Sequence, residues 1–508
     1  MPHTRALAPF RMDRRALLRG AIAVAASSAL PWRSAHPGGA LSITGDAVEL
    51  SGAAIADLEK SLAGIVILPT SPDYDQARRV WSPAYNRRPA LIARCTSKAD
   101  VQAAVQFARS HKLLTAVRCG GHCSAGFSMI DDGFVIDLSP FNHVQVEADR
   151  KVAYVSGGAL LGNLDRATAP HRLATTAGVV SHTGVGGLAT AAGQGRLARK
   201  FGLTIDNNRG VEMVLADGSI VRANANENPD LYWAVRGGGG NFGIVTQFEL
   251  QLHDFDQVVT SFSYRFPAAK AKDVFRLYVD LCEKAPRELT LGAGLQTTDG
   301  GETSASLSGT FLGPIGAAEA ATSGVKALGT PTSTRSGEMS YITLQSIGDG
   351  PRFSDVYSYG KSGFFNQVDL KLIDTLVDYT TRNSVPGTRA RISQQGGAIA
   401  EVPETATAFA QRDGVYQASI GVDWGEGKDP GRGIKHVRDL WSLLEPMSTH
   451  GFYINSLYDD SEERVRKSFR GNLARLVDIK TQVDPANFFR LNPNIRPSRG
   501  LRTTGRPG

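Results

Sequence analysis

Apolar and polar positions change rhythm several times along the chain. Around Ala54–Leu62 the apolar residues recur at helical spacing. Ser97 and Asp100 then form an S-x-x-D start signal, and Val101, Ala104, Val105 and Ala108 follow three or four residues apart, which predicts a capped amphipathic helix. Leu113–Val117, Gly133–Leu138 and Lys151–Val155 are short apolar or alternating runs that predict strands. Val211–Leu215 and Ile220-Val221 flank Ala216-Asp217-Gly218-Ser219, an Asp-Gly hairpin signal, and Ile244–Leu252 alternates as a further strand. Strands mixed with single helices predict an α+β nucleotide-binding region rather than a repeat. After about residue 256 the glycine clusters thin out, and mixed helix and strand, with a helix-like Val368–Tyr379, predict a second domain. From 450 the chain becomes motif-rich again, with a predicted helix over Glu462–Lys480 and the loop Asp484-Pro485.

Length and composition narrow this picture. A chain of 508 residues exceeds one ordinary core and predicts two or three domains. At 42% hydrophobic and 8% aromatic residues it can build packed cores. The formal charge of +7 resembles a nucleic-acid signal until its location is considered. Arg5, Arg11, Arg14, Arg15, Arg19 and Arg33 face a single acid, Asp13, within residues 1–40, so the remainder is close to neutral and a nucleic-acid partner is not expected. Arg14-Arg15, then Leu17-Leu18 and the small apolar run Ala21–Leu30, read as a twin-arginine export signal. That signal implies transient contact with the export machinery and a periplasmic or secreted protein. No later apolar run is long enough for a stable membrane span. The four cysteines, Cys95, Cys119, Cys123 and Cys282, do not form a disulfide framework, and no second ligand pair accompanies Cys119-Gly-Gly-His122-Cys123, so no metal is expected.

Three glycine-rich segments carry the candidate chemistry. They are Arg118–Gly126, Gly178–Gly195 and Trp233–Val245. Bare backbone N–H groups converge on phosphate oxygens only where side chains are absent. Gly238, Gly240 and Gly243 satisfy G-x-G-x-x-G, but that match follows a helical stretch and enters a strand, the reverse of a dinucleotide-binding turn. No phosphate-binding G-x-x-x-x-G-K-[ST], zinc-type H-E-x-x-H or G-x-S-x-G elbow is present.

Taken together, these segments resemble the berberine-bridge-enzyme-like oxidases of the vanillyl-alcohol oxidase superfamily. The resemblance runs from Arg88-Pro89 to Leu491–Ile495 and rests on R-x-G-G-H at 118–122, T-G-V-G-G at 183–187, Arg199–Asn207, Asp230–Val245, Tyr453-Ile-Asn455 and Asp484–Phe489. It implies a two-lobed FAD-binding domain of p-cresol methylhydroxylase type, joined to an α+β substrate domain with an antiparallel sheet. The implied division is an export signal at 1–40, an FAD-binding domain at 41–256, a substrate-binding domain at 257–449 and a C-terminal return at 450–508. By match, His122 bonds to the flavin 8α carbon, and a neutral imidazole is a competent nucleophile for that step. Many relatives add a second link through a cysteine, but the matching position here is Val180, which implies a single link. Further implied FAD contacts are Arg118, Cys119, Gly120 and Gly121, then Cys123, Ser124, Ala125 and Gly126. In the second segment they are Ser181, His182, Thr183, Gly184, Gly187 and Gly193. Ile244 and Val245 are implied on the adenine side, and Tyr453 and Asn455 at the ring.

The implied reaction is two-electron oxidation of an alcohol group on a small organic molecule or saccharide, with O2 as acceptor and H2O2 as product. The compact Thr183 leaves oxygen room at the ring. Tyr453 is the candidate to handle the proton. Tyr359 and Lys361, and then Gln394, Gln395 and Arg412, are lesser candidates for the substrate side. Oxidation of a C–N bond, a dehydrogenase passing electrons to a quinone or protein, and a non-catalytic flavin carrier are the other readings.

Overall fold

The computed structural model describes residues 39–498. The export-signal reading lies outside that range. Three sheets organise the fold, and the class is α+β.

The first sheet has four strands in the spatial order Ile65–Ile67, Leu91–Arg94, Phe134–Asp137, Thr115–Arg118. Its last three strands run parallel because the helix Lys98–Ser110 crosses over between them. Ser97 caps that helix through the Asp100 N–H at 3.2 Å. The Asp100 carboxylate turns back to accept the Ala63, Gly64 and Thr96 N–H groups, which ties the lead-in to the sheet.

The second sheet is antiparallel and five-stranded, in the order Ile220–Asn224, Asn208–Val214, Ile244–Gln251, Val152–Ser156, Val144–Glu147. The Asp-Gly hairpin forms as read, with Gly218 at φ +85°. Against this sheet pack Phe452, Ile454, Val465, Phe469, Leu476 and Ile479, so the C-terminal segment completes the same core as the glycine-rich loops. Lys480 is fully buried there, paired with Asp484 at 2.6 Å and donating to the Asn241 and Phe489 carbonyls.

The expected single helix over Glu462–Lys480 is two, Glu462–Ser468 and Leu473–Val483, separated by a 3-10 turn at Arg470–Asn472. Arg470 adopts φ +47°, which no continuous helix accommodates.

The third sheet has seven antiparallel strands between Val258 and Trp424. The helices Ala271–Lys284, Leu370–Arg382 and Gly431–Leu444 cover one face, burying Phe275, Tyr278, Leu376 and Leu440 against Leu291, Leu307, Ile392 and Ile420. Among the described residues no helix is long and apolar enough to cross a membrane.

Candidate active site

A cavity of about 410 Å³ is lined by residues of the first sheet, the glycine-rich segments, the second sheet and the C-terminal segment. All three glycine-rich segments meet in it. Gly120 and Gly184 touch through their backbones: a Cβ on Gly120 would lie 2.3 Å from the Gly184 nitrogen. Gly121 at φ +73° turns the chain out of the strand Thr115–Arg118 and presents His122. Gly187 and Thr190 come from the helix Val185–Ala191, and Gly239, Gly240 and Gly243 from the third segment. At one end the wall is apolar: Val117, Leu138, Ile244, Val245 and Phe489. At the other, Val180, Thr183, Tyr453 and Asn455 line it beside His122 and Cys123. Ser128 Oγ and Asn492 Oδ1 line the cavity and are buried without a hydrogen-bond partner in the protein. Glycine N–H groups and the Ser128 hydroxyl can donate to phosphate oxygens, and Asn492 Oδ1 can accept from a ribose hydroxyl, so the residues present fit a dinucleotide cofactor such as FAD.

His122 sits in a built environment. Trp81 stacks beside it, ring centroids 5.4 Å apart and 18° from parallel. Its Nε2 is 2.7 Å from His182 Nδ1, and His182 Nε2 is 2.5 Å from the Asp349 backbone carbonyl. The Asp349 carboxylate holds the same loop through the Ser181 N–H at 2.7 Å and Oγ at 2.6 Å. This chain fixes the tautomers. A carbonyl only accepts, so His182 Nε2 carries a proton and His182 Nδ1 is an acceptor; His122 Nε2 must therefore be the donor. In the neutral ring His122 Nδ1 is then a bare lone pair, its nearest polar neighbour Thr183 Oγ1 at 3.5 Å. Burial above all, then the neighbouring His182 and the charge of Arg352, pushes the His122 pKa down to about 4, so the ring is neutral at physiological pH.

Tyr453 lies across the cavity. Its oxygen accepts from Asn455 Nδ2 at 3.0 Å and faces the Gly193 and Gln194 N–H groups. Those three donors favour the phenolate, but burial outweighs them and the pKa is raised above the ordinary tyrosine value. Gly193, at φ +77°, contributes through this N–H and not as a cavity wall.

Several expected site residues lie elsewhere. Arg118 is buried behind the loop, between the Ala77 carbonyl and Asp137. Ser124, Ala125 and Gly126 turn away from the cavity: Tyr85 and Arg87 take the Ser124 and Gly126 carbonyls. Ser181 and His182 act through Asp349 and His122. Tyr359 and Lys361 point to the helix-covered side of their strand, where Tyr359 donates to Asp459 and Lys361 pairs with Asp459 and Asp460 at 2.6 and 2.9 Å. Gln394 spends both amide atoms on Leu291 N–H and the Cys282 carbonyl. The Gln395 carbonyl accepts from Arg199, and Arg412 forms a buried two-pronged pair with Asp206. All four cysteines are free thiols.

Sequence reasoning passed over Trp81, Gln194 and Asp349. Gln194 stood inside a quoted glycine motif, whereas nothing local marks Trp81 or Asp349.

Known proteins place the chain in a family. Residues 89–224 match the family model described as an FAD binding domain, and 452–496 the model described as berberine and berberine like. An FAD-linked oxidoreductase of Bacillus subtilis, YgaK, is 30% identical over 456 residues, covering 87% of this chain and 99% of that one. The (R)-6-hydroxynicotine oxidase of Paenarthrobacter nicotinovorans is 27% identical over 448 residues, covering 86% and 97%. Among solved structures, the xylooligosaccharide oxidase of Myceliophthora thermophila superposes with a TM-score of 0.80 at 23% identity, covering 88% of this chain and all of that one.

Proposed function

The chain belongs to the berberine-bridge-enzyme-like FAD-linked oxidoreductases, and from that premise we propose that it is an oxidase that acts on an alcohol group of a small organic molecule or saccharide and passes the electrons to O2, giving H2O2. FAD is held by one covalent bond, from His122 to the 8α carbon. The observation that carries this reading is the neutral His122 with its unprotonated Nδ1, in one cavity with the Tyr453 oxygen.

Bound FAD supplies the two-electron acceptor for substrate oxidation and for its own attachment. The protein does the rest by position. His122 Nδ1 would be the atom that joins the flavin 8α carbon, and His182, hydrogen-bonded to His122 Nε2, would accept the proton that the ring gives up. Val180 offers no sulfur at the place of a second link. Gly120, Gly184, Gly187, Ser128 and Asn492 hold the phosphate and ribose portion, and Ile244 and Val245 the adenine. Tyr453 receives the substrate hydroxyl proton, and the Gly193, Gln194 and Asn455 donors steady the oxygen while it is ionised. Residues 1–40 direct the folded protein through the twin-arginine machinery to the periplasm or medium. A substrate-binding domain would span 257–449, with the FAD-binding domain formed by 41–256 and the C-terminal return at 450–508.

Oxidation of a C–N bond is the second reading, favoured by the relative named for 6-hydroxynicotine. Anaerobic mixing of the holoenzyme with alcohols, saccharides and amines distinguishes them. The proposal expects an alcohol to bleach the visible flavin band and air to restore it with one H2O2 per turnover. Bleaching only by amines, or restoration only by a quinone, contradicts it.

A further inference from the structure

The face of the seven-stranded sheet opposite its helices has a composition of its own. Strand side chains alternate between faces, so the register identifies this face row by row. One row runs Phe364, Gln417, Ser393, Gly292, Ser308. The next runs Ser362, Ser419, Arg391, Gly294, Ser306. The Phe364 row abuts the FAD-binding lobe: Phe364 packs with Phe409, Ala198, Leu203 and Ile205, and Tyr453 joins the same cluster. Beyond Phe364, both rows are hydroxyls, an amide, glycine and one cation.

Arg391 is that cation. A Cβ on Gly292 would lie 2.5 Å from Arg391 Nη2, so the guanidinium leaves its own row and crosses onto the Phe364 row, toward the FAD-binding lobe. Its hydrogen bond is Nε to Ser393 Oγ at 3.1 Å, and among the described residues neither Nη group has an acceptor and no carboxylate pairs with it. Arg391 is exposed to solvent, and desolvation by the protein around it lowers its pKa. The Arg196 guanidinium lies close enough to add its own positive charge, while its hydrogens go to Gln345 Oε1 and the Val179 and Leu344 carbonyls. The same strand provides an internal control. Arg389, two residues earlier on the same face, lies over Gly421 in the same manner but pairs with Asp423. One arginine is neutralised and the one nearer the Phe364 row is not.

We propose that Arg391 is a specificity-determining residue that binds a carboxylate on the substrate, so that the enzyme prefers an acidic hydroxylated compound, of the sugar-acid or hydroxy-aromatic-acid class, to its neutral parent. A forked guanidinium with both outer nitrogens free matches a carboxylate in two-point geometry, and Ser306, Ser308 and Ser419 provide hydroxyl partners for the remainder. This rests on the reading that the cleft between sheet and FAD-binding lobe receives substrate.

The test is calorimetric binding to the holoprotein of matched pairs: D-glucuronate and D-glucose, D-galacturonate and D-galactose, 4-(hydroxymethyl)benzoate and benzyl alcohol. Wild type is compared with Arg391→Gln and with the charge-neutral double variant Arg389→Gln/Asp423→Asn. At least one acid should bind ten or more times tighter than its neutral partner. Arg391→Gln should abolish that preference, and the double variant should keep it. Equal binding of acids and neutral partners, a preference that survives Arg391→Gln, or no binding by any acid overturns the inference. Flavin content is read on the same samples, so a colourless protein marks failure of the flavoenzyme reading and not of the anion site.

Discussion

Replacing His182 with Leu should slow attachment of FAD to His122 without emptying the cavity. In the wild type His182 Nδ1 accepts from His122 Nε2 at 2.7 Å and is itself aligned by the Asp349 carbonyl. Leucine occupies a similar volume but leaves the buried His122 N–H unpaired. An unsatisfied buried donor costs about 1–3 kcal/mol, equivalent to roughly 5- to 150-fold in rate if the relay acts fully in the transition state. The reasoning also sets the pH dependence. An imidazolium has no lone pair, so attachment requires the neutral ring, and with His122 held near pKa about 4 the wild-type rate should be flat from pH 8 to pH 5. Below the pKa it should fall about tenfold per unit. The assay starts from apoprotein produced under flavin starvation. FAD is added, samples are quenched in acid at intervals, and flavin fluorescence is followed in the denatured chain on a gel. His182→Leu attaching at the wild-type rate, or a wild-type profile that breaks near pH 6.5, would refute the relay.

Tyr453→Phe should lower kcat by about 10²–10⁴, the usual contribution of a positioned base. In the wild type kcat/KM should climb through the alkaline range because the tyrosine pKa is raised, and that climb should vanish in the variant. Gly120→Ala forces a Cβ to 2.3 Å from the Gly184 nitrogen, and the protein should purify folded but without FAD, which absorbance and circular dichroism read together. Lys480→Met leaves the buried Asp484 carboxylate with only the Phe488 and Phe489 N–H groups and no counter-ion, and should destabilise by about 3–5 kcal/mol, seen as a lower Tm. Asp165 is buried with Gln345 as its hydrogen-bonding partner, and desolvation raises its pKa to about 7. The folded state thus holds a proton that the unfolded state has already released, so stability falls as pH rises from about 4 to 7, by about 4 kcal/mol at most. Asp165→Asn should raise Tm at pH 8 and leave it nearly unchanged at pH 4.

Local chemistry was legible where a residue acts within its own element. Ser97 caps its helix and Asp217-Gly218 turns its hairpin because both signals operate over three or four residues. The glycine segments pointed to the cavity since close backbone approach admits no other residue type, as at Gly120 and Gly184. The split at Arg470 was hidden by periodicity: Val465, Phe469, Leu476 and Ile479 all reach one core, and their helical spacing runs on across the turn that separates them. Tyr359 and Lys361 share strand parity and could face either side; the side was decided by Asp459 and Asp460, a hundred residues on. Asp349 orders the loop of His182 from the loop that follows the helix Tyr341–Ser346, and a contact of that kind leaves no trace in either local pattern.

The account stands most directly on where the flavin goes when the protein is unfolded. Wild type and His122→Ala are saturated with FAD, precipitated in acid and centrifuged. The account predicts yellow pellet and clear supernatant for wild type, with all flavin in the supernatant for His122→Ala. Colour released from the wild-type chain, or retained by the variant, contradicts the covalent tether at His122.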